Sequence, residues 1–300
     1  MLTFLADEQT LSQCSGVEIQ YPIRLFDLSS FGIKGQQFIS DILPSFYQLE
    51  YDLYTVKHEQ QQLLLHRFSD KKDQITAFFN DYWTEKVDLE SVKAMLSELT
   101  SEEYYDLQSI RPYRRRSMAQ FELLLLVQKQ QWLISRRSLS TFTQKTGDYR
   151  TQPRKFPEMS DLVTNHGAFR KLLIYLARLV KNIRPETQNL QIICHQVGLV
   201  ALPKSCADNA PEGIHQDGAD YIVSALVIER RNIQGGTSII YGCDKRTVYF
   251  TTTLQPGQGI FQADHGSDLW HDVTPIVFDP NSSGSEGVRN ILGFDIQVNC

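Results

Sequence analysis

The sequence has no long apolar run. Stretches of about 18 or more apolar residues mark membrane-spanning helices, and none occurs in the 300 residues. The first residues, Met1 to Asp7, also lack the positively charged segment and the long apolar core of a secretory signal peptide. We therefore expect a cytoplasmic protein that does not act at a membrane.

Cysteine is scarce and scattered. Cys14, Cys194, Cys206, Cys243 and Cys300 include no Cys-x-x-Cys pair. This spacing excludes a zinc knuckle, and so few cysteines do not form a disulfide framework. We expect five reduced thiols.

The chain has no excess of positive charge. It carries 35 acidic and 30 basic residues, for a net charge of −5. An acidic balance argues against nucleic acid or an anionic membrane as the main partner. A hydrophobic content of 41% is ordinary for a globular protein, and neither a repeat nor a linker divides the chain. We therefore expect a single domain over residues 1–300 with a small-molecule partner.

The pattern with the clearest chemical meaning is His215-x-Asp217. Residues two apart on a β-strand share a face, so both side chains can reach one metal ion. A distant histidine, His271, would complete a set of two histidines and one carboxylate. That set suits Fe(II), because it leaves positions free for a cosubstrate and dioxygen. With 7 His and 35 acidic residues, chance supplies roughly one His-x-acid pair, so the flanking sequence must decide.

The flanking sequence favours a β-rich metal site. Tyr221 to Ile228 is rich in β-branched residues and predicts a buried strand directly after the motif. Short apolar segments separated by Gly and Pro follow, with a hairpin predicted over 237–254. Such a series is typical of a jelly roll or barrel. His271 opens an apolar run whereas His265 lies in a polar segment, so we favour His271 as the third ligand.

The earlier part of the chain predicts mainly helices. Helical apolar patterns cover 37–49, 74–83, 91–99, 117–134 and 169–180. The cluster Arg111, Arg114, Arg115 and Arg116 is interpreted as a solvated helix start. The polar segment 139–159 predicts a long loop that could fold over the metal site as a lid.

Four segments of the region from about 190 to 300 resemble those of 2-oxoglutarate/Fe(II) dioxygenases that hydroxylate free aliphatic L-amino acids, isoleucine and leucine hydroxylases among them. The segments are Pro211 to Gly218, Arg231 to Gly236, His271 to Ile276 and Gly287 to Arg289. Asn290 departs from the pattern, because an acidic residue is expected there. We interpret Asn290 as a change beside the site that affects orientation.

The resemblance implies an α+β fold. Residues 190–300 would form a double-stranded β-helix, the jelly-roll or cupin-like core. Residues 1–189 would contribute an early strand, a helical N-terminal wrap and the lid-like loop.

The resemblance also implies the site. Fe(II) would be held by His215, Asp217 and His271, and Arg289 would bind the distal carboxylate of 2-oxoglutarate through its planar fork. The activity would be hydroxylation of a free aliphatic L-amino acid, with conversion of 2-oxoglutarate and dioxygen to succinate and carbon dioxide.

Further residues could recognise the amino acid substrate. Glu212 or Asp220 could bind its ammonium group, and Arg154 could bind its carboxylate. Two alternatives stay open from the sequence. The same site could catalyse desaturation or oxidative cyclisation of an amino acid, or the chain could be a non-catalytic metal-binding jelly-roll protein.

Overall fold

The structure is a computed structural model that describes residues 9–10, 13–14, 17–18, 21–138, 141–144 and 154–299. Most of the loop predicted at 139–159 therefore lies outside the described residues. The helices of the described part are α1 (Gly35–Phe46), α2 (Leu53–Arg67), α3 (Lys72–Trp83), α4 (Ser91–Met95), α5 (Ser101–Ser109), α6 (Asp161–Thr164) and α7 (Gly167–Ile183). No helix in these ranges is long and apolar enough to cross a membrane.

Strands make up most of the remaining regular structure. Over the same ranges they are β1 (Gln9–Thr10), β2 (Gln13–Cys14), β3 (Val17–Glu18), β4 (Ile23–Asp27), β5 (Arg114–Leu126), β6 (Gln131–Arg137), β7 (Asn189–Ala201), β8 (Cys206–Ala207), β9 (Tyr221–Arg231), β10 (Ile233–Gly235), β11 (Ser238–Tyr241), β12 (Val248–Thr252), β13 (Gln258–Ala263), β14 (Trp270–Val273), β15 (Ile276–Phe278) and β16 (Gly287–Asn299).

A large antiparallel sheet organises the molecule. Its strand order is β1-β4-β13-β9-β16-β7-β5-β6. Smaller sheets have the orders β10-β15-β8 and β12-β11-β14, and β11 pairs with β12 as the predicted hairpin. The result is a mixed α/β fold dominated by antiparallel strands.

The two faces of the large sheet have different surroundings. Helix α7 covers one face, where the ring of Phe169 contacts those of Phe121 and Phe294. Phe169 also belongs to the apolar stripe that predicted an amphipathic helix, and α7 confirms that helix. Because side chains alternate along a strand, the neighbours of Phe294 on β16 point to the opposite face, here called the inner face. Gly293 and Asp295 of this face line a cavity.

A second apolar cluster lies among α2 to α5. It contains Leu64 of α2, Phe79 and Trp83 of α3, and Leu107 of α5, all buried. Thr100 and Glu103 form a reciprocal capping box at the start of α5, which satisfies backbone donors that the helix leaves open. These helices therefore have their own packing and do not depend only on the sheet.

One predicted helix is wrong. The segment 117–134 forms most of the hairpin of β5 and β6, with a short 3-10 turn at Val127–Lys129. Its consecutive leucines, Leu123 to Leu126, fit a helix and a strand equally well by period. Pairing of β5 with β7 over eleven positions favours the strand, and Leu123 and Leu125 are buried while Leu124 and Leu126 are exposed.

Candidate metal centre

The backbone brings His215 and His271 together from distant parts of the chain. The two residues form an isolated antiparallel bridge, and each backbone N–H donates to the other's carbonyl at 3.0 Å. Their imidazole rings are 4.3 Å apart between centroids. Asp217 follows two residues after His215, so local sequence and one long-range bridge together assemble the predicted ligand set.

The three side chains converge on one point. One ligand atom from each of His215, Asp217 and His271 lies within 4.8 Å of the others. Nε2 of His215 is 3.5 Å from Oδ1 of Asp217, and Nε2 of His271 is 3.3 Å from Oδ2. Ligand atoms each about 2.1 Å from a shared metal ion would be roughly 3 Å apart, so little adjustment is needed to bind one.

His215 is oriented for metal binding by its own loop. Its Nδ1 lies 2.7 Å from the carbonyl oxygen of Gly213. A carbonyl can only accept, so Nδ1 carries a proton, which leaves Nε2 as the ring nitrogen that can bind a metal ion. Gly213 has φ +71, a conformation that favours glycine. The loop thereby fixes both the tautomer and the ring orientation, as hydrogen bonds behind metal-bound histidines do.

Asp264 lies behind the other histidine and was missed by the sequence analysis. Its Oδ1 is 3.9 Å from Nδ1 of His271, and its Oδ2 accepts from the backbone N–H of Gly218 at 2.7 Å. Burial, followed by the charge of Asp217, raises the pKa of Asp264 to about 6. Oδ1 of Asp264 and Nδ1 of His271 are both buried without a hydrogen bond among the described residues, and the neighbouring His265 is exposed and outside the cluster.

Asp217 is held in its charged form. Burial opposes its ionisation, but hydrogen bonds and charge interactions with His215 and His271 hold its pKa well below the usual value. Nε2 of Gln144 donates to its Oδ1 at 2.8 Å. The Gln144 amide oxygen in turn accepts from Nη2 of Arg154 at 2.7 Å. A charged carboxylate beside two imidazoles is a suitable donor set for Fe(II).

The three ligands line a cavity that has polar and apolar walls. Glu212 lies close to the ligands, with its Oε1 3.4 Å from Nε2 of His215. The other charged or polar residues that line the cavity include Arg114, Arg116, Gln144, Arg154, His195 and Asp295. Apolar walls come from Val197, Val273 and Ile291. The structure thus brings two of the predicted substrate residues, Glu212 and Arg154, into the cavity that the metal ligands line.

Arg114 and Arg116 correct the interpretation of the arginine cluster as a solvated helix start. Both are buried on strand β5 and line the cavity. Nε and Nη2 of Arg114 bind one oxygen of buried Asp52 at 2.9 and 2.8 Å. This pair neutralises Arg114 inside the protein.

Arg116 belongs to a hydrogen-bonded chain on the same wall. Its Nη2 is 2.7 Å from Nδ1 of His195, and Nε2 of His195 is 2.9 Å from Oδ2 of Asp295. An arginine can only donate, so Nδ1 accepts and Nε2 carries the proton given to Asp295. Burial, then the charge of Arg114, lowers the pKa of Arg116 to about 10. His195 is buried with both ring nitrogens hydrogen-bonded, and it lines the cavity.

Asp220 and Asn290 point elsewhere. The Asp220 carboxylate accepts from the Val298 backbone N–H at 2.8 Å and from Arg184 at 3.2 Å, and it also bonds to Gln297. It is not among the cavity walls, so the structure does not support a substrate contact. Asn290 donates to Glu229 at 2.7 Å. Lying between Arg289 and Ile291, it faces away from the cavity, contrary to the predicted effect on orientation.

Arg289 is fully buried on β16 and has no hydrogen-bond partner in the part of the chain that the structure describes. Its Nε, Nη1 and Nη2 all lack a hydrogen bond among the described residues. Ile291, Gly293 and Asp295 on the same strand face line the cavity, and Arg289 is the next residue of that row. Burial, then the nearby Arg230, lowers the pKa of Arg289 to about 9. A buried guanidinium without a partner is costly, so the site fits a bound anion.

Other buried polar groups also retain hydrogen-bonding capacity. The Ser238 hydroxyl and both amide atoms of Gln262 are buried without a partner among the described residues. Buried polar groups are normally satisfied, so such groups indicate an interior that receives a polar ligand or water.

The sequence matches the family model described as 2OG-Fe dioxygenase over residues 93–295. The chain belongs to this family. The match includes the ligand cluster, Arg289 and the cavity arginines, and the dioxygenase accordingly uses Fe(II), 2-oxoglutarate and dioxygen on a small-molecule substrate.

Solved structures share the fold of this dioxygenase. A bsmA homolog from Methylobium petroleophilum PM1 is 16% identical, with a TM-score of 0.63 over 92% of this chain and 88% of that one. IDO from Bacillus thuringiensis is 12% identical, with a TM-score of 0.56 over 93% of both chains. No curated protein matches the sequence. At these identities the likeness concerns the fold alone.

Proposed function

We propose that this dioxygenase hydroxylates the side chain of a free aliphatic L-amino acid. The observation that carries the proposal is the combination of charges beside the metal ligands. Glu212 offers a carboxylate for an ammonium group, while Arg116 and Arg154 offer guanidinium groups for a carboxylate. Val197, Val273 and Ile291 provide an apolar wall for an aliphatic side chain.

The protein residues have distinct roles in this proposal. His215, Asp217 and His271 hold Fe(II), and Arg289 anchors 2-oxoglutarate. Bound Fe(II), 2-oxoglutarate and dioxygen supply the oxidising chemistry, with succinate and carbon dioxide as co-products. Glu212 and the two arginines fix both charged ends of the amino acid, which leaves its side chain as the part directed to the metal. The buried walls exclude water from that space.

The surroundings of the site are also part of the proposal. We propose that the large sheet and the smaller sheets form the double-stranded β-helix predicted from the sequence, preceded by the helical wrap. One domain over residues 1–300 and a cytoplasmic location are likewise proposed.

The experiment combines product analysis with altered substrates. The Fe(II)-loaded protein is incubated with 2-oxoglutarate, ascorbate and single aliphatic L-amino acids, and mass spectrometry follows substrate and succinate. We expect a gain of one oxygen atom coupled to succinate. N-acetylated and methyl-esterified forms of the same amino acid, which each lack one charge, should react poorly. Loss of two hydrogens would instead indicate desaturation or cyclisation, and turnover of only uncharged compounds would contradict the proposal.

A further inference from the structure

A second arginine lies directly opposite Arg289. Strands β16 and β9 pair antiparallel with Arg289 and Arg230 in register. Directly opposite residues of paired strands point to the same face of a sheet. Both side chains therefore extend from the inner face, on neighbouring strands.

Neither guanidinium is neutralised by the described residues. All three nitrogens of Arg289 lack a partner, and no described carboxylate lies within salt-bridge distance of it. Arg230 donates through Nη2 to the carbonyl oxygen of Gly235 at 2.9 Å, but its Nη1 is buried without a partner. A fully buried cation and a half-buried one held side by side repel each other, and an anion between them removes that cost.

Gly236 indicates how close the two side chains are. A Cβ placed on Gly236 would lie 2.9 Å from Nη1 of Arg230 and 3.0 Å from Cδ of Arg289. Since both atoms are about 3 Å from one point, they are at most about 6 Å from each other. Glycine leaves this space open because it has no Cβ. The φ of +66 at Gly236 is also a conformation that favours glycine.

We propose that Arg230 is a second anchor for the distal carboxylate of 2-oxoglutarate and shares that carboxylate with Arg289. The proposal rests on the role proposed for Arg289. Two guanidinium groups can each give N–H donors to one carboxylate, which has about four acceptor positions. The site would then select 2-oxo acids that carry a second carboxylate over those that end in a methyl group.

The adjacent Arg231 offers a matched control. Its guanidinium is 40% exposed and pairs with Glu229 at 3.1 Å and with Glu286 at 3.4 Å. It therefore has counter-charges of its own, although it is only one position along the strand.

The test measures binding of two ligands without turnover. Anaerobic calorimetry of the Fe(II)-loaded protein gives the Kd of 2-oxoglutarate and of 2-oxopentanoate, which has the same chain length but no distal carboxylate. Hydrogen bonds to charged groups are worth about 1.5 to 3 kcal/mol, so Arg230→Gln should raise the 2-oxoglutarate Kd about 10- to 100-fold. The Kd of 2-oxopentanoate should change less than about twofold, and Arg231→Gln should change neither value.

The outcomes separate this inference from the role of Arg289. If Arg289→Gln weakens 2-oxoglutarate binding and Arg230→Gln does not, Arg230 is not an anchor, and the role proposed for Arg289 is retained. If neither variant has an effect, both roles are wrong. Equal weakening of both ligands by Arg230→Gln would show a structural role and overturn the proposal. Arg230→Lys, which keeps the charge, is the second variant should Arg230→Gln fail to fold, and its selectivity between the two ligands is judged in the same way.

Discussion

The arginines of the inner face fall into two groups that differ in their partners. The cavity arginines Arg114 and Arg116 are bound to Asp52 and to the His195–Asp295 pair. The strand-pair arginines, Arg230 and Arg289, face each other without a described carboxylate beside them. A buried guanidinium with protein partners is stable when no ligand is bound, whereas one without partners is stabilised only by a bound anion. The cavity arginines are therefore suited to a substrate that binds and leaves, and the strand-pair arginines to the carboxylate of the cosubstrate.

The largest expected effect comes from removing the metal ion, because both the substrate and the cosubstrate react there. Asp217→Ala should abolish iron binding and turnover, because it removes one of three ligands and leaves two histidines without the charge that fixes them. The loss should exceed the roughly 10- to 100-fold typical of residues behind the ligands. Iron content after desalting, measured by atomic absorption, checks it. His265→Ala is the control and should retain its iron, since His265 is exposed outside the cluster.

Arg289→Ala tests the strand-pair group and should have the next largest effect. Loss of a buried charge-assisted contact should cost about 2 to 5 kcal/mol of cosubstrate binding. The KM for 2-oxoglutarate should therefore rise steeply while iron content and the KM for the amino acid stay nearly constant. An unchanged KM for 2-oxoglutarate would remove the basis for distinguishing the two groups.

Arg116→Gln tests the cavity group in the same assay. We expect the KM for the amino acid to rise about 10- to 100-fold, because one donor to its carboxylate is lost, and the KM for 2-oxoglutarate to stay nearly constant. Arg115→Gln is the control. Its guanidinium stacks on Tyr51 at 4.7 Å and does not line the cavity. A rise in the cosubstrate KM with Arg116→Gln would show that the groups do not divide the ligands between them.

The residues that the sequence located are those with a local signature. His215 and Asp217 are two apart in the loop that precedes β9, and His271 opens an apolar run on β14, so spacing and the flanking strand patterns suffice to identify them as candidates. Arg289 shares a strand face with Ile291 and Gly293, which places it by parity. The hairpin of β11 and β12 likewise follows from short apolar segments around a polar turn.

The residues that the sequence missed depend on pairings between distant segments. Arg116 becomes a buried cavity wall only because β5 pairs with β7, opposite Val197. Arg114 is neutralised by Asp52, which comes from the start of α2. Asp264 is held beside the metal ligands by the backbone N–H groups of Gly218 and Ala219, which come from a distant part of the chain. Burial and charge pairing of this kind arise from tertiary contacts, and no period or motif in the local sequence encodes them.

The smallest expected effect concerns the link between Arg154 and the metal ligand Asp217. Gln144 donates to Asp217 and accepts from Arg154, so it connects a substrate-binding group to a metal ligand. Gln144→Ala removes both hydrogen bonds but no metal ligand, and loss of a contact behind a ligand typically lowers activity about 10- to 100-fold, so we expect kcat/KM for the amino acid to fall within that range with iron content retained. Thr143→Ala, at an exposed neighbour, should match the wild type. Steady-state kinetics with each ligand varied in turn decide the result. If Gln144→Ala raised the KM for 2-oxoglutarate more than that for the amino acid, Gln144 would belong with the strand-pair arginines, and the two groups would not act separately.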